Sequence, residues 1–480
     1  MTTERIGGFL RSWVYFANNW LSLAGVVLVT SAAVTWLFLL PVTLRGEVTH
    51  PYVGILVFLL VPTVFVAGLL LIPAGILLRR RREHRTSSIY PSHFPPLNWR
   101  NRDFRRLVLF IGATTAVNLV IASQATYAAT QYMDSSTFCG LTCHKVMQPE
   151  YVGHSDSAHA RVDCVACHIG PGASWFVRSK LSGTGQVFAV AFNTYPRPIP
   201  SPVKNLRPAR ETCEVCHWPA RFDAERLRVI PQYADDEKNS LTQTVLMMKI
   251  GGGDRGGIHG VHVGQGVHIR YAYSDEKRQT IPWVEYTGPD GHTTGYLQGG
   301  TDAAAVAKMP TREMDCIDCH NRPTHAFQLP ERAMDGAMAA GRISPALPFV
   351  KKQGLVLLKA SYGTREEAER KIPLELTAYY RTNYPAVYLQ NADAVRQAGR
   401  AIAALYGRNV FPAMKVTWGT YVDNIGHTDF PGCFRCHDGS HASSTGKTVT
   451  QDCGACHNIL AMQETNPKIL SDLGLTGGTN

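Results

Sequence analysis

Twelve cysteines and six histidines follow one repeated pattern after residue 138. Five Cys-x-x-Cys pairs are each followed directly by a histidine, and a sixth pair has one additional residue between its cysteines. In chain order, the first to sixth motifs are Cys139–Cys143–His144, Cys164–Cys167–His168, Cys213–Cys216–His217, Cys316–Cys319–His320, Cys433–Cys436–His437 and Cys453–Cys456–His457. Two thiols at this spacing add to the two vinyl groups of one haem, and the adjacent histidine binds the iron. The pattern therefore predicts six c-type haems.

Zinc is the competing interpretation, because paired Cys-x-x-Cys also occurs in zinc ribbons. Histidine accounts for only 18 of the 480 residues. Its presence directly after all five regular pairs is therefore not accidental, and it favours haem. The pattern uses all twelve cysteines, so we expect no structural disulfide.

A low-spin haem iron binds a second axial ligand, so the histidines outside the motifs are candidates. We expect ligands among His159, His325, His427 and His441, which lie near motifs, and then His259 and His262. By contrast, His154, His268 and His292 are expected to be ordinary side chains. The sequence does not say which histidine meets which haem, because such ligands can come from far along the chain. Met147, three residues after His144, either binds the first iron or packs against the porphyrin.

Three apolar runs precede the motifs and contain no charged residue or histidine. They are residues 21–44, 52–78 and 107–127, and each is long enough to cross a bilayer as a helix. We expect them to form a membrane anchor. Without an internal histidine, the anchor has no ligand for a haem between its helices.

The charge distribution predicts the orientation of this anchor. Residues 1–106 hold 12 arginines, no lysine and four acidic residues, so they contribute +8 of the formal charge of +11. Most of these arginines lie between residues 79 and 106, and arginine-rich loops stay cytoplasmic. We therefore expect the haem-bearing part on the periplasmic side of the inner membrane. The basic charge then reports orientation, and no nucleic-acid partner is expected.

The expected fold is a membrane-anchored multihaem cytochrome c. Three N-terminal transmembrane helices precede a mostly irregular and helical, haem-packed extracytoplasmic part with a small β-hairpin insertion. Residues 226–315 lack haem motifs but alternate in the manner of β-strands, and they contain a Gly-Pro-Asp-Gly turn at 288–291. The expected domains are 1–128 (anchor), 129–225 (three haems), 226–330 (β-rich insertion and fourth haem), 331–407 (helical) and 408–480 (two haems).

Several stretches resemble the NapC/NirT family of membrane-anchored multihaem cytochromes. They include Cys-His-Lys-Val-Met-Gln-Pro-Glu at 143–150, Ser-Ala-His at 157–159, Ser-Lys-Leu-Ser-Gly at 179–183 and Asn-Leu-Arg-Pro-Ala-Arg-Glu-Thr at 205–212. The chain looks most like the inner-membrane cytochromes of metal-respiring bacteria, which also carry three N-terminal helices. The C-terminal stretch 426–441 is similar to their last haem pair.

The resemblance implies quinol oxidation near the first haem, with menaquinol or ubiquinol as the substrate. It implies Met147 as an iron ligand and Lys180 as a lining residue of the quinol pocket. The family's acidic residue is not matched, because Gln186 lies near its position; Glu150 and Asp156 are the alternative proton acceptors.

The implied partners are the membrane quinone pool and periplasmic cytochromes or reductases, in a chain that can also be an oligomer or a complex subunit. The function is then that of a quinol dehydrogenase. The alternatives are a relay subunit of a larger respiratory complex, a multihaem reductase with an open haem face, and electron flow in reverse into the quinone pool.

Overall fold

The structure is a computed structural model that describes residues 19–44, 59–85, 99–100, 123–124, 127–128, 130–142, 144–203, 206–218, 225–252 and 256–475. The chain divides into two compact units, residues 1–138 and 139–480.

Two long helices form the described core of the first unit, α1 (Trp20–Leu44) and α2 (Val61–Arg85). Their backbones approach closely at two glycines: a Cβ on Gly25 would lie 2.7 Å from the carbonyl oxygen of Gly68. Small residues allow this spacing, which is common where apolar helices pack. The Ser22 hydroxyl also donates to the carbonyl oxygen of Ile72 at 2.9 Å.

Among the described residues, one helix is long and apolar enough to cross a membrane, over Val61–Arg82. The α1 helix lies over the first predicted span, 21–44, and its side chains are described in part. Nearly all of the third predicted span, 107–127, lies outside the described residues. The prediction of three spans therefore remains a prediction.

The second unit begins with short helices around the first three motifs. A π-helical turn spans Phe138–Thr142. The helices that follow are α3 (His144–Ser155), α4 (Cys164–His168), α5 (Ala173–Ala191) and α6 (Ala209–Cys213).

Two antiparallel sheets follow, so the single small hairpin predicted from the sequence is wrong. The strands are β1 (Arg226–Tyr233), β2 (Leu241–Met248), β3 (His268–Ala272), β4 (Trp283–Thr287), β5 (Thr293–Gln298), β6 (Thr311–Glu313), β7 (His441–Ala442) and β8 (His457–Glu464). The strand orders are β1-β2-β8 and β6-β3-β4-β5-β7. An isolated hairpin is only marginally stable. Here the C-terminal strand β8 covers the first hairpin, and buried Val245 packs against Ala461 and Leu470.

Short helices lie between the strands. They are α7 (Gly257–Val263), α8 (Ala303–Val306) and α9 (Cys316–Cys319). The first of them, α7, follows β2 directly and contains two of the candidate histidines.

A helical segment holds the largest apolar core of the second unit. It consists of α10 (Pro330–Ala339), α11 (Val350–Lys359), α12 (Arg365–Asn383) and α13 (Pro385–Asn409). These helices lie between Pro330 and Asn409. The α12 helix begins where the Thr364 side chain accepts a hydrogen bond from the Glu367 amide. The remaining helices are α14 (Cys453–Cys456) and α15 (Lys468–Asp472).

Candidate haem-attachment sites

The second, fourth and sixth motifs each carry both cysteines on one short helix. In the third motif, Cys213 ends α6 and Cys216 lies in the turn that follows, and in the fifth motif Cys433 lies in a 3-10 turn (Gly432–Arg435) that Cys436 follows. A helical turn places residues i and i+3 on the same side, so both thiols of a pair face one direction. Acidic residues cap two of these turns. The Asp315 carboxylate accepts from the Cys316 amide at 2.6 Å, and the Asp452 carboxylate accepts from the Gly454 amide at 2.9 Å. The turns thus present two thiols to one ligand.

Each regular motif brings its histidine to a second histidine from elsewhere in the chain. The ring centroids are separated by 6.2 Å for His168–His325, 5.9 Å for His159–His217, 6.2 Å for His259–His320, 5.8 Å for His262–His437 and 6.2 Å for His427–His457. Two imidazoles that bind one metal ion from opposite sides have centroids about 6 Å apart, because each metal–nitrogen bond is about 2 Å long. The pairs therefore fit one iron each.

Hydrogen bonds at the ring nitrogens support this fit. The Nδ1 atoms of His325, His262 and His437 lie 3.0, 2.7 and 2.7 Å from the carbonyl oxygens of Glu150, Ile258 and Thr450, respectively. A carbonyl only accepts, so each Nδ1 must donate. The Nε2 atom then keeps its lone pair, which is the arrangement that orients a metal-binding histidine.

Burial also keeps most of these rings in the form that binds a metal. Desolvation lowers the pKa of His325 to about 3, with the positive charge of Arg322 adding to the effect. It also lowers the pKa of five others: His168, His259, His262, His320 and His457. These rings are therefore neutral at pH 7, and a neutral imidazole is the metal ligand.

Two buried histidines have ring nitrogens that contact protein oxygen atoms: both nitrogens of His441 and the Nε2 atom of His154. His441 is fully buried, and its Nδ1 and Nε2 atoms lie 3.0 Å from an Asp438 carboxylate oxygen and 2.7 Å from the Ile281 carbonyl oxygen. The geometry therefore does not favour the predicted ligand role of His441. His154 lies 6.3 Å from the His325 ring, but its Nε2 is 2.8 Å from the Val162 carbonyl oxygen.

The two other histidines expected to be ordinary lie on the surface. His268 Nδ1 is 2.8 Å from a Glu313 carboxylate oxygen, and the His292 amide donates to the Asp290 side chain in a turn. Neither ring belongs to one of the five histidine pairs.

The five regular motifs adjoin one another in sequence order. The Cys167 thiol lies near Cys213 of the third motif, and the Cys213 thiol lies near that of Cys316 in the fourth. Cys433 interacts electrostatically with Cys319 of the fourth motif and Cys456 of the sixth. Groups bound at these motifs would therefore form a continuous row.

The first motif is described only in part. Cys139 lies in the π-helical turn, while Cys143 and the side chain of His144 lie outside the described part. Met147 is partly buried against an apolar cluster that includes Val146 and Phe411. His144 and Met147 occupy positions i and i+3 of α3.

The two candidate quinol residues lie on α5 but not on one face. Lys180 and Gln186 are six residues apart, which in a helix of 3.6 residues per turn separates them by about 120°. The Lys180 ammonium lies 4.8 Å from the centre of the Phe176 ring. The Gln186 amide donates to the Ser182 hydroxyl at 3.4 Å.

No sequence pattern indicated the buried carboxylate that lies inside the fourth motif. Asp318 is 3% exposed and accepts hydrogen bonds from Tyr271 at 2.6 Å, Arg312 at 3.0 Å and Arg278 at 3.2 Å. Its carbonyl oxygen accepts from Arg435 of the fifth motif. Burial and the Asp318 charge raise the pKa of the Tyr271 hydroxyl. This network links two neighbouring motifs.

The two alternative proton acceptors have different surroundings. The Glu150 carboxylate is largely buried beside Arg322, and burial raises its pKa although Arg322 and Arg408 act in the opposite direction. The Asp156 side chain is exposed and pairs with Arg408 at 3.1 Å. Only Glu150 also contacts a paired histidine, His325.

The paired imidazoles and paired thiols define a multihaem c-type cytochrome. Residues 101–198 match the N-terminal region of the NapC/NirT cytochrome c family. The chain is also 40% identical, over 97% of its length and 91% of the relative's, to the cytochrome c-type protein ImcH of Geobacter sulfurreducens. The chain therefore belongs to the NapC/NirT cytochrome c family, as its motifs predicted, and is an electron-transfer protein with covalently bound haem. No solved structure matches the chain.

Proposed function

We propose that the chain is a hexahaem cytochrome that oxidises membrane quinol and passes the electrons to periplasmic acceptors. The observation that carries this proposal is the set of five histidine pairs, each joining a regular motif to a distant histidine at 5.8–6.2 Å. When bound, the haems supply the one-electron chemistry, and the protein sets the potential of each through axial ligands, burial and charge.

The proposed ligand sets follow the ring pairs. Motif histidines His168, His217, His320, His437 and His457 take His325, His159, His259, His262 and His427 as second ligands, respectively. His441 is not part of any set, since both of its ring nitrogens are engaged within the protein.

The first site is proposed to differ from the other five. His144 and Met147 occupy positions i and i+3 of α3, a spacing that lies on one side of a helix, so we expect that they do not bind one iron from opposite faces. One of them therefore binds, and the other face is open to a ligand from elsewhere or to substrate. This site is where we place electron entry from quinol. Absorption and magnetic circular dichroism spectra distinguish thioether from imidazole ligation there.

Lys180 is proposed to bind a quinol oxygen as a hydrogen-bond donor. Arg178 and Trp175 lie on the same helix, with the guanidinium 5.0 Å from the centre of the indole ring. Gln186 is a weaker member of the pocket, since its side chain leaves α5 about 120° away from that of Lys180. Glu150 is the better placed of the two alternative proton acceptors, because its carboxyl is buried and close to a proposed haem ligand.

The proposed location is the inner membrane, with the motifs on the periplasmic side. The support is the candidate span Val61–Arg82 and the arginines that follow it along α2. Arginine-rich segments remain cytoplasmic, so α2 would run from the outside to the inside. The third predicted span would then return the chain to the periplasm.

The test is anaerobic mixing of the full chain, in detergent, with a reduced naphthoquinol. We expect prompt haem reduction in the native protein and slow reduction in Lys180→Ala. Lys308→Ala is the control, because it removes an exposed lysine just after α8, and its haems should be reduced as fast as those of the native protein. Dithionite should reduce all three fully.

Two alternatives give different outcomes. A relay subunit would not be reduced by quinol although dithionite reduces it, and this result would contradict the proposal. To test reverse flow, the protein is reduced with dithionite, freed of excess reductant and mixed with quinone. Electron transfer to quinone that is faster than the reduction of the oxidised protein by quinol would indicate reverse flow.

A further inference from the structure

The second position between the two cysteines is charged in two of the five regular motifs. It is Asp318 in the fourth motif and Arg435 in the fifth, and each of these residues directly precedes a motif cysteine, Cys319 or Cys436. The same position is small or apolar in the other three motifs, at Ala166, Val215 and Ala455. Opposite charges at equivalent positions of neighbouring motifs would by themselves predict an ion pair.

The Asp318 carboxylate instead pairs with two other arginines. It accepts hydrogen bonds from Arg312 at 3.0 Å and from Arg278 at 3.2 Å. The carboxylate of Asp315, at the start of the same motif, lies 3.9 Å from Arg312. Two carboxylates are thus matched by two guanidinium groups, and the charge of Arg435 is additional to this set.

The Arg435 guanidinium bonds to backbone carbonyl oxygens. Its Nε, Nη1 and Nη2 atoms donate to Gly432 at 2.9 Å, to Arg278 at 2.9 Å and to Asp318 at 2.5 Å. These carbonyl groups belong to the fifth motif, to the loop between β3 and β4, and to the fourth motif, respectively. A carbonyl oxygen accepts a hydrogen bond but carries no net charge, so these contacts hold the cation in place without neutralising it.

The position of this cation is close to a cysteine of each motif. Arg435 directly precedes Cys436, and the carbonyl group that it contacts at 2.5 Å belongs to Asp318, the residue directly before Cys319. The guanidinium lies near both thiols. A haem attached at either motif would therefore have the charge close to one of its thioether bonds. Bound haems would exclude further water from this region, which strengthens the interaction.

A fixed positive charge favours the reduced state of a nearby haem. Reduction lowers the charge of the haem by one, so the Coulomb interaction with a cation is more favourable after reduction. Nearby charge and burial are among the factors by which a protein sets a haem potential, and a cation between two haems raises both potentials. Asp438 also lies near Cys436, and its negative charge opposes this effect at the fifth site.

We propose that Arg435 is a positioning residue that sets the reduction potentials of the fourth and fifth haems together. Its three hydrogen bonds fix the spacing between the two motifs, and its charge makes both sites better electron acceptors. Electrons that pass along the row are thereby drawn to this junction. This role of Arg435 rests on the proposed attachment of haem at the fourth and fifth motifs, and it does not depend on quinol as the electron donor.

The test is a potentiometric titration of the full haem-loaded chain in detergent, followed by EPR. His259→Ala and His262→Ala identify the low-spin signals of the fourth and fifth haems, because each variant removes one of them. The potentials of these two signals are then measured in the native protein, in Arg435→Gln and in Arg435→Lys. The control is Arg396→Gln, which removes an exposed arginine that pairs with Asp393 on α13, a helix without a haem motif.

Both potentials should fall in Arg435→Gln, because the charge is lost from the two sites at once. The other haems of this variant should change much less, and all haems of Arg396→Gln should keep their native potentials. Arg435→Lys retains the charge but loses the planar fork that reaches three carbonyl groups. We therefore expect near-native potentials in Arg435→Lys together with a lower midpoint in denaturant unfolding.

Two outcomes would overturn the proposal. Unchanged potentials in Arg435→Gln would mean that the charge does not act on these haems. An equal fall in Arg435→Gln and Arg435→Lys would mean that the hydrogen bonds, and not the charge, determine the potentials.

Peptide mass spectrometry establishes whether both motifs carry haem in each protein. If Arg435→Gln does not load both motifs, Arg435→Lys decides: near-native potentials support the proposal, and lowered potentials contradict it. A native protein without haem at either motif would contradict the proposed function as well. Unchanged potentials in a fully loaded Arg435→Gln would contradict only the role of Arg435.

Discussion

His259 and His262 lie three residues apart on α7, and their rings face the histidines of two different motifs. The His259 ring is 6.2 Å from that of His320, and the His262 ring is 5.8 Å from that of His437. One short helix in the haem-free stretch thus serves two neighbouring sites. The β-strands on either side of α7 hold this helix between the fourth and fifth motifs. The insertion is therefore proposed to supply one iron ligand to each of these two sites.

Replacing either α7 histidine should affect one haem only. We expect His259→Ala to remove the second ligand at the fourth motif and His262→Ala to remove it at the fifth, so each variant gains one high-spin haem. Resonance Raman and EPR spectroscopy measure the high-spin fraction. His268→Ala, at an exposed histidine on β3, is the control and should leave all haems low-spin. Low-spin spectra in both α7 variants would contradict the assignment.

His441 should contribute to stability and not to iron ligation. Its two ring nitrogens contact Asp438 and the Ile281 carbonyl in a fully buried position. His441→Leu would remove the side-chain donor to the buried Ile281 carbonyl oxygen and one of several donors to Asp438, at a cost of about 1–3 kcal/mol in the free energy of unfolding. Denaturant unfolding followed by circular dichroism measures this loss, and EPR should show no new high-spin iron. His427→Leu is the matched comparison and should create high-spin iron.

The sequence alone could not distinguish the different surroundings of His427 and His441. Both flank the fifth motif, so the sequence treats them alike. The motif residues themselves were predictable, because thioether chemistry fixes their spacing. The sequence named candidate second ligands, including His441, but could not pair them with motifs, since the His325 ring meets that of His168 from 157 positions along the chain. Whether a ring nitrogen is already hydrogen bonded depends on tertiary contacts that no local pattern encodes.

The sequence predicted fewer β-strands than the structure contains, for a related reason. The alternating stretches between residues 226 and 315 indicated β structure, but β7 and β8 come from the C-terminal segment. Gln243 of β2 pairs with Glu464 of β8, more than two hundred positions away. Such pairings depend on packing, as at Val245 and Ala461, and not on local propensity.

Asp438 should make stability depend on acidic pH. Burial acts to raise its pKa, but hydrogen bonds from Ser440 and His441 outweigh burial and hold the pKa at about 2, below the ordinary 3.8. A lowered folded-state pKa stabilises the fold above the unfolded pKa and loses that effect as the pH falls. We expect the stability advantage of the native protein over Asp438→Asn to be full above pH 4 and to vanish towards pH 2. Denaturant unfolding across this range measures it, and a constant difference would contradict it.

Lys351 and Asp335 form a buried ion pair that joins α11 to α10. Their side chains are 3 and 8% exposed, and Asp335 also accepts from the Tyr233 amide of β1 at 3.0 Å. Lys351→Met should lower the free energy of unfolding by about 3–5 kcal/mol, because it leaves a buried carboxylate without its partner. The double variant Lys351→Met/Asp335→Leu should recover a large part of this loss in chemical denaturation. A double variant no more stable than the single one would show that the pair itself, and not the unpaired charge, determines the cost.

The angle between the two rings of a histidine pair should determine the EPR signal of the haem at that site. The rings of His259 and His320 are 12° from parallel, whereas those of His159 and His217 meet at 71°. Near-parallel axial imidazoles give low-spin ferric haem a rhombic spectrum, whereas steeply crossed planes bring two iron orbitals close in energy and give a single large g value. We therefore expect His259→Ala to remove intensity from the rhombic signals and His159→Ala to remove it from a large-g signal. Each variant should convert one haem to high spin, so the lost signal identifies its site. The opposite assignment of the two signals would show that the ring orientations, or the pairing itself, differ from those described.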